Sequence, residues 1–401
     1  MRPSRPPTPE PVTCRRRRPL PVALLVATVA TALLVGCTDD PDPAAGPGPS
    51  GPSEGATDRA DACAPDDLPD AITAAEVADA DTEGTTVTLV THDSFAVSDG
   101  LFDDFTAETG INVELLSSGD AGTVVSQSIL TAGDPVADVL FGIDTTFLCR
   151  GTAAGVFTPY AAEALADVPD AYEVAEDHLV TPIDVGDVCL NYSKAAFSDP
   201  ADAPETLADL TDDAYADAFV TENPETSSPG LAFLLATIAT YGEDGWERYW
   251  EELRANGVQV DPGWEEAYNE SFGAGSGDRS IVTSYATSPV ADVLYSDPPR
   301  TEPAIGVVAD ACFRQVEFAG VLRGTEEPEA AAELVDFMLS PRFQEDVPLN
   351  MFVEPVNERA QLPEVFEANR TEIDEPLSLS PAEIEAGRDR WTERWTEIVL
   401  R

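Results

Sequence analysis

Three short stretches set hydroxyl groups and glycines just ahead of apolar, helix-forming runs: LLSSGDAGTVV (115–125), ETSSPGLAFLL (225–235) and VTSYATSPVADVL (282–294). The first turn of a helix leaves its N–H groups without intrahelical partners, and the aligned peptide dipoles add partial positive charge there. Ser228 and Ser288 are expected as N-caps, with Pro229 and Pro289 as the first helical residues, where a missing N–H costs nothing. In the first stretch Gly119 and Gly122 let backbone N–H groups face an incoming group. One such turn is ordinary capping. TSYATSP (283–289), however, carries five hydroxyls, on Thr283, Ser284, Tyr285, Thr287 and Ser288, which is more than a cap uses. Together the three turns predict a cradle for a polar or anionic group.

Aromatic and charged side chains cluster at comparable turns. THDSF (91–95) supplies His92 and Asp93, GWEEAY (263–268) places Trp264 and Tyr268 in a loop after a strand, and MFVEPV (351–356) supplies Phe352. Aromatic faces with carboxylates nearby suit an organic cation or a flat heteroaromatic ring. Catalytic machinery is not apparent. There is no GxSxG nucleophile elbow between a strand and a helix, no HExxH and no P-loop, and two histidines, His92 and His178, leave a Ser-His-Asp triad or a zinc site poorly supplied. No catalytic residue, metal site or cofactor is expected.

These turns need strands and helices to hold them. TTVTLVTH (85–92) reads as a strand, 98–109 as a helix closed by Gly110, INVELLSS as a strand, 122–131 as a helix and ADVLFG (137–142) as a third strand. The alternation breaks at the extended VTPIDVGDVCLNY (180–192). It resumes with helices at 229–241 and 245–256, a strand before Asp261 and the strand IVTSY, then breaks again over 304–321. Helices follow near 329–339 and at 381–399, the last started by Ser380, Pro381 and the capping-box residue Glu383. Its stripe of Ile384, Trp391, Trp395 and Ile398 is spaced for core packing. The class is α/β. Two lobes, 85–188 with 306–401 (including the C-terminal helix) and 189–305, are expected to be joined by two extended hinge crossings. In open α/β sheets ligands sit beyond the carboxyl ends of the strands, where these turns lie.

The 401 residues carry 75 Asp plus Glu against 22 Lys plus Arg, a net charge of -53 with Lys194 the one lysine. No basic face remains for a nucleic acid, and the acidity reads as a compositional habit of the chain. Arg15–Arg18 followed by the apolar 20–36 form a signal peptide over 1–36, and LVGC ending at Cys37 resembles a lipobox whose cysteine is acylated; an ordinary signal or a single-pass anchor is the alternative. Residues 37–84 read as a Pro/Gly-rich, acidic tether. Of the four remaining exported cysteines, Cys189 and Cys312 lie in strand-like segments. The pairing Cys189–Cys312 with Cys63–Cys149 is favoured, and a reactive thiol is the alternative.

From about residue 86 to the C-terminus the chain resembles the thiamine-binding periplasmic proteins of ABC importers. The matching pieces occur in order: VTLVTHDSF, ADVLFGID, TPIDVGDVCLNYSK, TSSPGLAFLLATIATYG, GWEEAYNESFGAGSGDRSIVTSYATSP, FRQVEFAG, LVDFMLSPRFQEDVP and SPAEIEAGRDRWTERW. TSSPG, GWEEAY and SYATSP are the most specific. The resemblance implies a bilobed type II periplasmic-binding-protein fold. It also implies a monomer that captures thiamine or its phosphates, is held to the outer face of the membrane by its lipid, and delivers to an ABC permease. It implies ligand contacts from Ala121, Gly122, Ser227, Ser228, Trp264 and Tyr285–Pro289, which adds Ala286, Thr287, Ser288 and Pro289. His92, Asp93, Asp144 and Phe352 form a second tier; His92 and Phe352 stand where the family can show tyrosine and tryptophan. The rivals are another solute on the same scaffold, such as iron, a polyamine or an anion, and a thiaminase-like enzyme using Cys149 or Cys189.

Overall fold

The β-branched and apolar runs of the chain become ten strands of one sheet among the described residues. They are β1 Thr86–Thr91, β2 Asn112–Ser117, β3 Val139–Asp144, β4 Phe157–Thr158, β5 Thr181–Ser193, β6 Phe219–Glu222, β7 Gln259–Asp261, β8 Ile281–Tyr285, β9 Ile305–Leu322 and β10 Glu354–Pro355. This computed structural model describes residues 63–65, 67–172, 177–273 and 277–401, all within one compact unit, Ser53–Arg401. The expected signal peptide, Cys37 and the tether up to residue 62 lie outside the described residues.

The strand order is β2-β1-β3-β9-β5-β8-β6-β7, with β4 on β9 and β10 on β5. At one end β1 pairs in parallel with β2 and β3; at the other β6 pairs in parallel with β7 and β8. Between them β5 and β9 form a long antiparallel ribbon, 13 and 18 residues in length. Two parallel groups with helical crossovers are thus tied together by the two extended segments that break the sequence alternation.

Local chemistry explains the helices on which the site depends. Leu101–Thr109 ends at Gly110, whose φ of 81° needs a glycine. Ala121–Leu130 begins at the N-cap Asp120. Ser228–Tyr241 is apolar on all sides and is buried accordingly, and Gly230 lets it approach the end of β6, since a Cβ there would lie 2.6 Å from the Glu222 carbonyl oxygen. Two caps differ from expectation. Ser227 and Thr287 hold the N-cap positions, so Ser228 and Ser288 are the first helical residues and Pro229 and Pro289 the second. Proline is tolerated throughout the first turn, so its presence does not fix the boundary to one residue.

Two further expectations need correction. The folded chain begins earlier than Thr85: Cys63 is bonded to Cys149, Ile72 bridges Tyr160, and Ala74–Asp79 is a helix with a Thr73–Glu76 capping box. That helix buries none of its residues, so no apolar periodicity announces it. The C-terminal helix Pro381–Val399, with Ser380 and Glu383 forming its capping box, packs on both Leu148–Ala153 and Trp246–Ala255 rather than on the first parallel group alone. Trp395 meets Trp250 edge-on with centroids 5.5 Å apart, and Arg390 and Trp391 both donate to Glu243. A second disulfide, Cys189–Cys312, joins β5 to β9. No helix of the described residues is long and apolar enough to cross a membrane.

Candidate functional site

A cavity of about 550 Å³ opens between the starts of Ala121–Leu130, Ser228–Tyr241 and Ser288–Tyr295. Of the residues expected there, Ala121, Ser228, Trp264, Tyr285, Ser288, His92 and Phe352 line it. Gly122, Ser227, Ala286, Thr287 and Pro289 are buried in its frame. Asp93 is exposed, its N–H donating to the Gly119 carbonyl at 3.0 Å, and Ser94 lines the wall in its place. Asp144 lies fully buried behind the cavity.

The aromatic wall is helical, not a loop as expected. Trp264 opens a helical turn that continues as the π-helix Glu266–Ser271, and its ring stacks on Tyr268 with centroids 4.8 Å apart and planes 14° from parallel. Four residues separate the two rings, which places them on one face. The indole N–H donates to Ser284 Oγ at 2.9 Å, and the Trp264 backbone N–H donates to Asp120 Oδ2 at 3.2 Å. Tyr285 lies over Gly186 of β5, where a Cβ would come within 2.9 Å of its ring. Phe352 closes the opposite side, at φ 58°, a backbone conformation that non-glycine residues adopt only when their surroundings enforce it. Here the enforcing contact is Thr287, whose hydroxyl donates to the Phe352 carbonyl.

The hydroxyls of TSYATSP divide by task. Thr283 bonds Thr221, Ser284 bonds Ser288 and receives the Trp264 indole, and Thr287 holds the Phe352 loop. Tyr285 and Ser288 face the cavity. At the neighbouring helix start the Ser227 and Ser228 hydroxyls are both buried with no well-formed hydrogen bond among the described residues, Ser227 lying toward Asp120. A buried hydroxyl without a partner is costly unless a ligand supplies one.

Carboxylates make up the rest of the site, and the sequence reading singled out only Asp144. Asp120 caps Ala121 at 2.6 Å and lines the cavity, as does Glu317 of β9. Asp184 of β5 and Glu222 of β6 are fully buried. Each sits in an otherwise apolar strand, TPIDVG, RQVEFAG or FVTE, and that interruption is the signal that could have found them. Burial pushes Asp144 and Asp184 up to about 7 and Asp120 up to about 6, and raises Glu222 and Glu317 well above the usual carboxylate range. His92 Nε2 stands 3.7 Å from Glu317 Oε1; burial lowers the His92 pKa to about 4, so the imidazole is neutral near neutral pH, and burial likewise disfavours the charged form of Glu317. On the cavity wall Arg300 is engaged by Asp292 at 2.8 Å. The site therefore offers aromatic faces, helix starts and an excess of acid.

A family model described as bacterial extracellular solute-binding protein matches residues 134–373. The thiamine-binding periplasmic protein of Escherichia coli (strain K12) is 29% identical over 321 residues, covering 79% of this chain and 94% of the relative. The protein of the same name from Brucella suis is 26% identical over 322 residues, covering 79% and 92%. Among solved structures, a periplasmic thiamin binding protein superposes with a TM-score of 0.69 at 27% identity, covering 79% of this chain and 96% of the other. Iron-bound HitA from Pseudomonas aeruginosa, at 22% identity and a TM-score of 0.63 over 78% and 99%, shares the fold. The architecture is the type II periplasmic-binding-protein fold, two α/β groups joined by extended crossings. With more than half of its length under the family model, the chain belongs to the bacterial extracellular solute-binding proteins.

Proposed function

We propose that this protein captures thiamine, or a thiamine phosphate, outside the cytoplasm and hands it to an ABC permease. The observation that carries the reading is the pairing of stacked aromatic rings, Trp264 on Tyr268 with Tyr285 nearby, with an acidic wall whose Glu317 has no Lys or Arg partner among the described residues. A thiazolium cation and a flat aminopyrimidine suit such walls, and the hydroxyethyl or phosphate end suits the Ala121 and Ser228 helix starts. The cavity volume falls in the range of small-molecule sites. The names of the relatives point the same way.

In this reading residues 85–188 with 306–401 and residues 189–305 are lobes that close on the ligand about the β5–β9 ribbon. Closure is a population shift drawn by contacts that both lobes make only when together. Cys37 carries the lipid that keeps the monomer at the outer face of the membrane. The protein is a carrier and not an enzyme: Cys149 and Cys189, the thiols a thiaminase-like reaction would use, are both in disulfides. Iron is the less supported reading, since the iron-bound neighbour is 22% identical and the thiamin-binding one 27%. Titrating the exported protein with thiamine and with thiamine phosphate, by calorimetry and tryptophan fluorescence, tests the assignment. Saturable heat and quenching are expected; no response to either compound at high micromolar concentration overturns it.

A further inference from the structure

Asp144, Glu317 and Asp184 stand side by side on three adjacent strands. Asp144 of β3 is the register partner of Glu317 of β9, and Glu317 is the register partner of Asp184 of β5. Directly opposed side chains in an antiparallel pair have Cβ atoms about 4.5–5.5 Å apart. The three are 0%, 6% and 0% exposed. Among the described residues no N–H or hydroxyl donor reaches either oxygen of Asp184 or Oδ2 of Asp144, and the Asp184 and Glu317 carboxyls lie within hydrogen-bonding reach of each other.

The groups facing this row bring no positive charge. From the end of β1 comes His92, 9% exposed, with Nε2 unbonded; from the helix start comes Asp120; from β8 comes the Tyr285 phenol; Glu222 of β6 adds a further acid beside Asp120. Arg314 is three residues from Glu317 along β9, on the other face of the sheet, where Asp187 holds it at 2.6 Å. Three buried like charges at this spacing do not all ionise, so the empty site keeps a proton among them near neutral pH. Glu317 alone of the three lines the cavity, as does Ser228, whose buried hydroxyl has no hydrogen-bond partner among the described residues.

We infer that the Asp144–Glu317–Asp184 row is a proton-exchange site, from which a cationic ligand displaces one proton on binding, so that capture releases a proton and weakens as the medium acidifies. The inference rests on the proposed reading of a cationic ligand. The balance is simple: the ligand enters as a cation, Glu317 becomes a carboxylate, and the proton passes to the buffer, so the buried site gains no net charge. A neutral analogue of the same shape gains nothing from the exchange.

The test is calorimetry of the exported chain with thiamine at pH 7, in two buffers of different ionisation enthalpy, whose difference in heat counts protons. About one proton released per ligand is expected, with the Kd loosening by up to about tenfold per pH unit as the pH falls through the titration of the row. Asp184→Asn turns an acidic neighbour of Glu317 into a hydrogen-bond donor, so Glu317 ionises without help. Whatever affinity that variant retains, its proton release per bound ligand should fall towards zero and its pH dependence should flatten. Equal heats in both buffers with a pH-independent Kd overturn the inference and leave thiamine capture standing. The same proton count in wild type and Asp184→Asn places the proton elsewhere and also overturns it. Absence of binding in either buffer overturns the functional reading itself. Should Asp184→Asn fail to fold, the wild-type proton count decides alone.

Discussion

Gly122 offers the sharpest handle on closure. It is the second residue of Ala121–Leu130, and a Cβ there would lie 2.9 Å from the Thr226 carbonyl oxygen, 3.1 Å from that of Glu225 and 2.9 Å from Phe147 Cζ. Thr226 and Glu225 lead into Ser228–Tyr241 on the far side of the β5–β9 ribbon, and backbone carbonyls do not swing aside as a side-chain end can. Gly122→Ala, at the second helical residue, adds less helix propensity than the about 1 kcal/mol of a helix interior, and adds it whether the lobes are open or closed. Its overpacking against the two carbonyls, about 1–3 kcal/mol, acts only when the lobes meet. At 1.4 kcal/mol per tenfold, the Kd for thiamine should rise about 5- to 150-fold. Calorimetric titration measures that, and thermal unfolding of the unliganded variant should stay near the wild-type value, the helical gain offsetting the contact with Phe147. Wild-type affinity in Gly122→Ala would refute closure at this contact. An affinity loss matched by a comparable fall in unliganded stability would show only local damage through Phe147.

Trp264→Ala removes the ring stacked on Tyr268 and should weaken thiamine binding by about 2 kcal/mol, roughly 30-fold, with Trp264→Phe recovering most of it because the ring outweighs the bond to Ser284. Replacing both Cys189 and Cys312 by alanine opens a cross-link over a sequence separation of 123 residues and should lower stability to urea by about 2–5 kcal/mol. The pH dependence of the unliganded protein follows from Asp144 and Asp184. Their folded pKa values, about 7, exceed the ordinary carboxylate value, so the folded state binds more protons and their contribution to stability is full below about pH 4 and is lost as the pH rises towards 7. Thermal unfolding at fixed ionic strength should show that decline, flattened in Asp184→Asn; a wild-type profile unchanged by the variant would refute the assignment.

What the sequence makes legible is what is encoded locally. Glycine after a helical run, Ser-Pro before one and alternating β-branched residues act over a few positions, so the α/β order, the two long extended segments and the polar helix starts are readable directly. The caps at Ser227 and Thr287 are misplaced by one residue because proline fits either of the first two helical positions. Trp264 and Tyr268 are recognisable by type, but a loop reading misses the i,i+4 spacing that stacks them. The early helix Ala74–Asp79 escapes because it has no buried face and is anchored nearby by Cys63–Cys149.

The carboxylate row is of another kind, since it exists only through register between distant strands. Gly142, at φ 96°, is the extra residue of a bulge between Phe141 and Ile143. Continued without the bulge, β3 would set Ile143 against Glu317 and Asp144 against Val316. With it, Asp144 meets Glu317, and a Cβ on Gly142 would strike His92 Cδ2 at 2.4 Å, so one glycine sets both the register and the space for the imidazole. No local pattern announces this. The same distinction applies to charge. Among the described residues most acidic side chains are in reach of water, where salt screens them over about 8–10 Å, so the net charge of -53 bears on how a cation approaches. Glu317 and its buried neighbours are screened far less, and they bear on how the cation is held. Composition alone predicts attraction; register decides whether the attraction ends in a site.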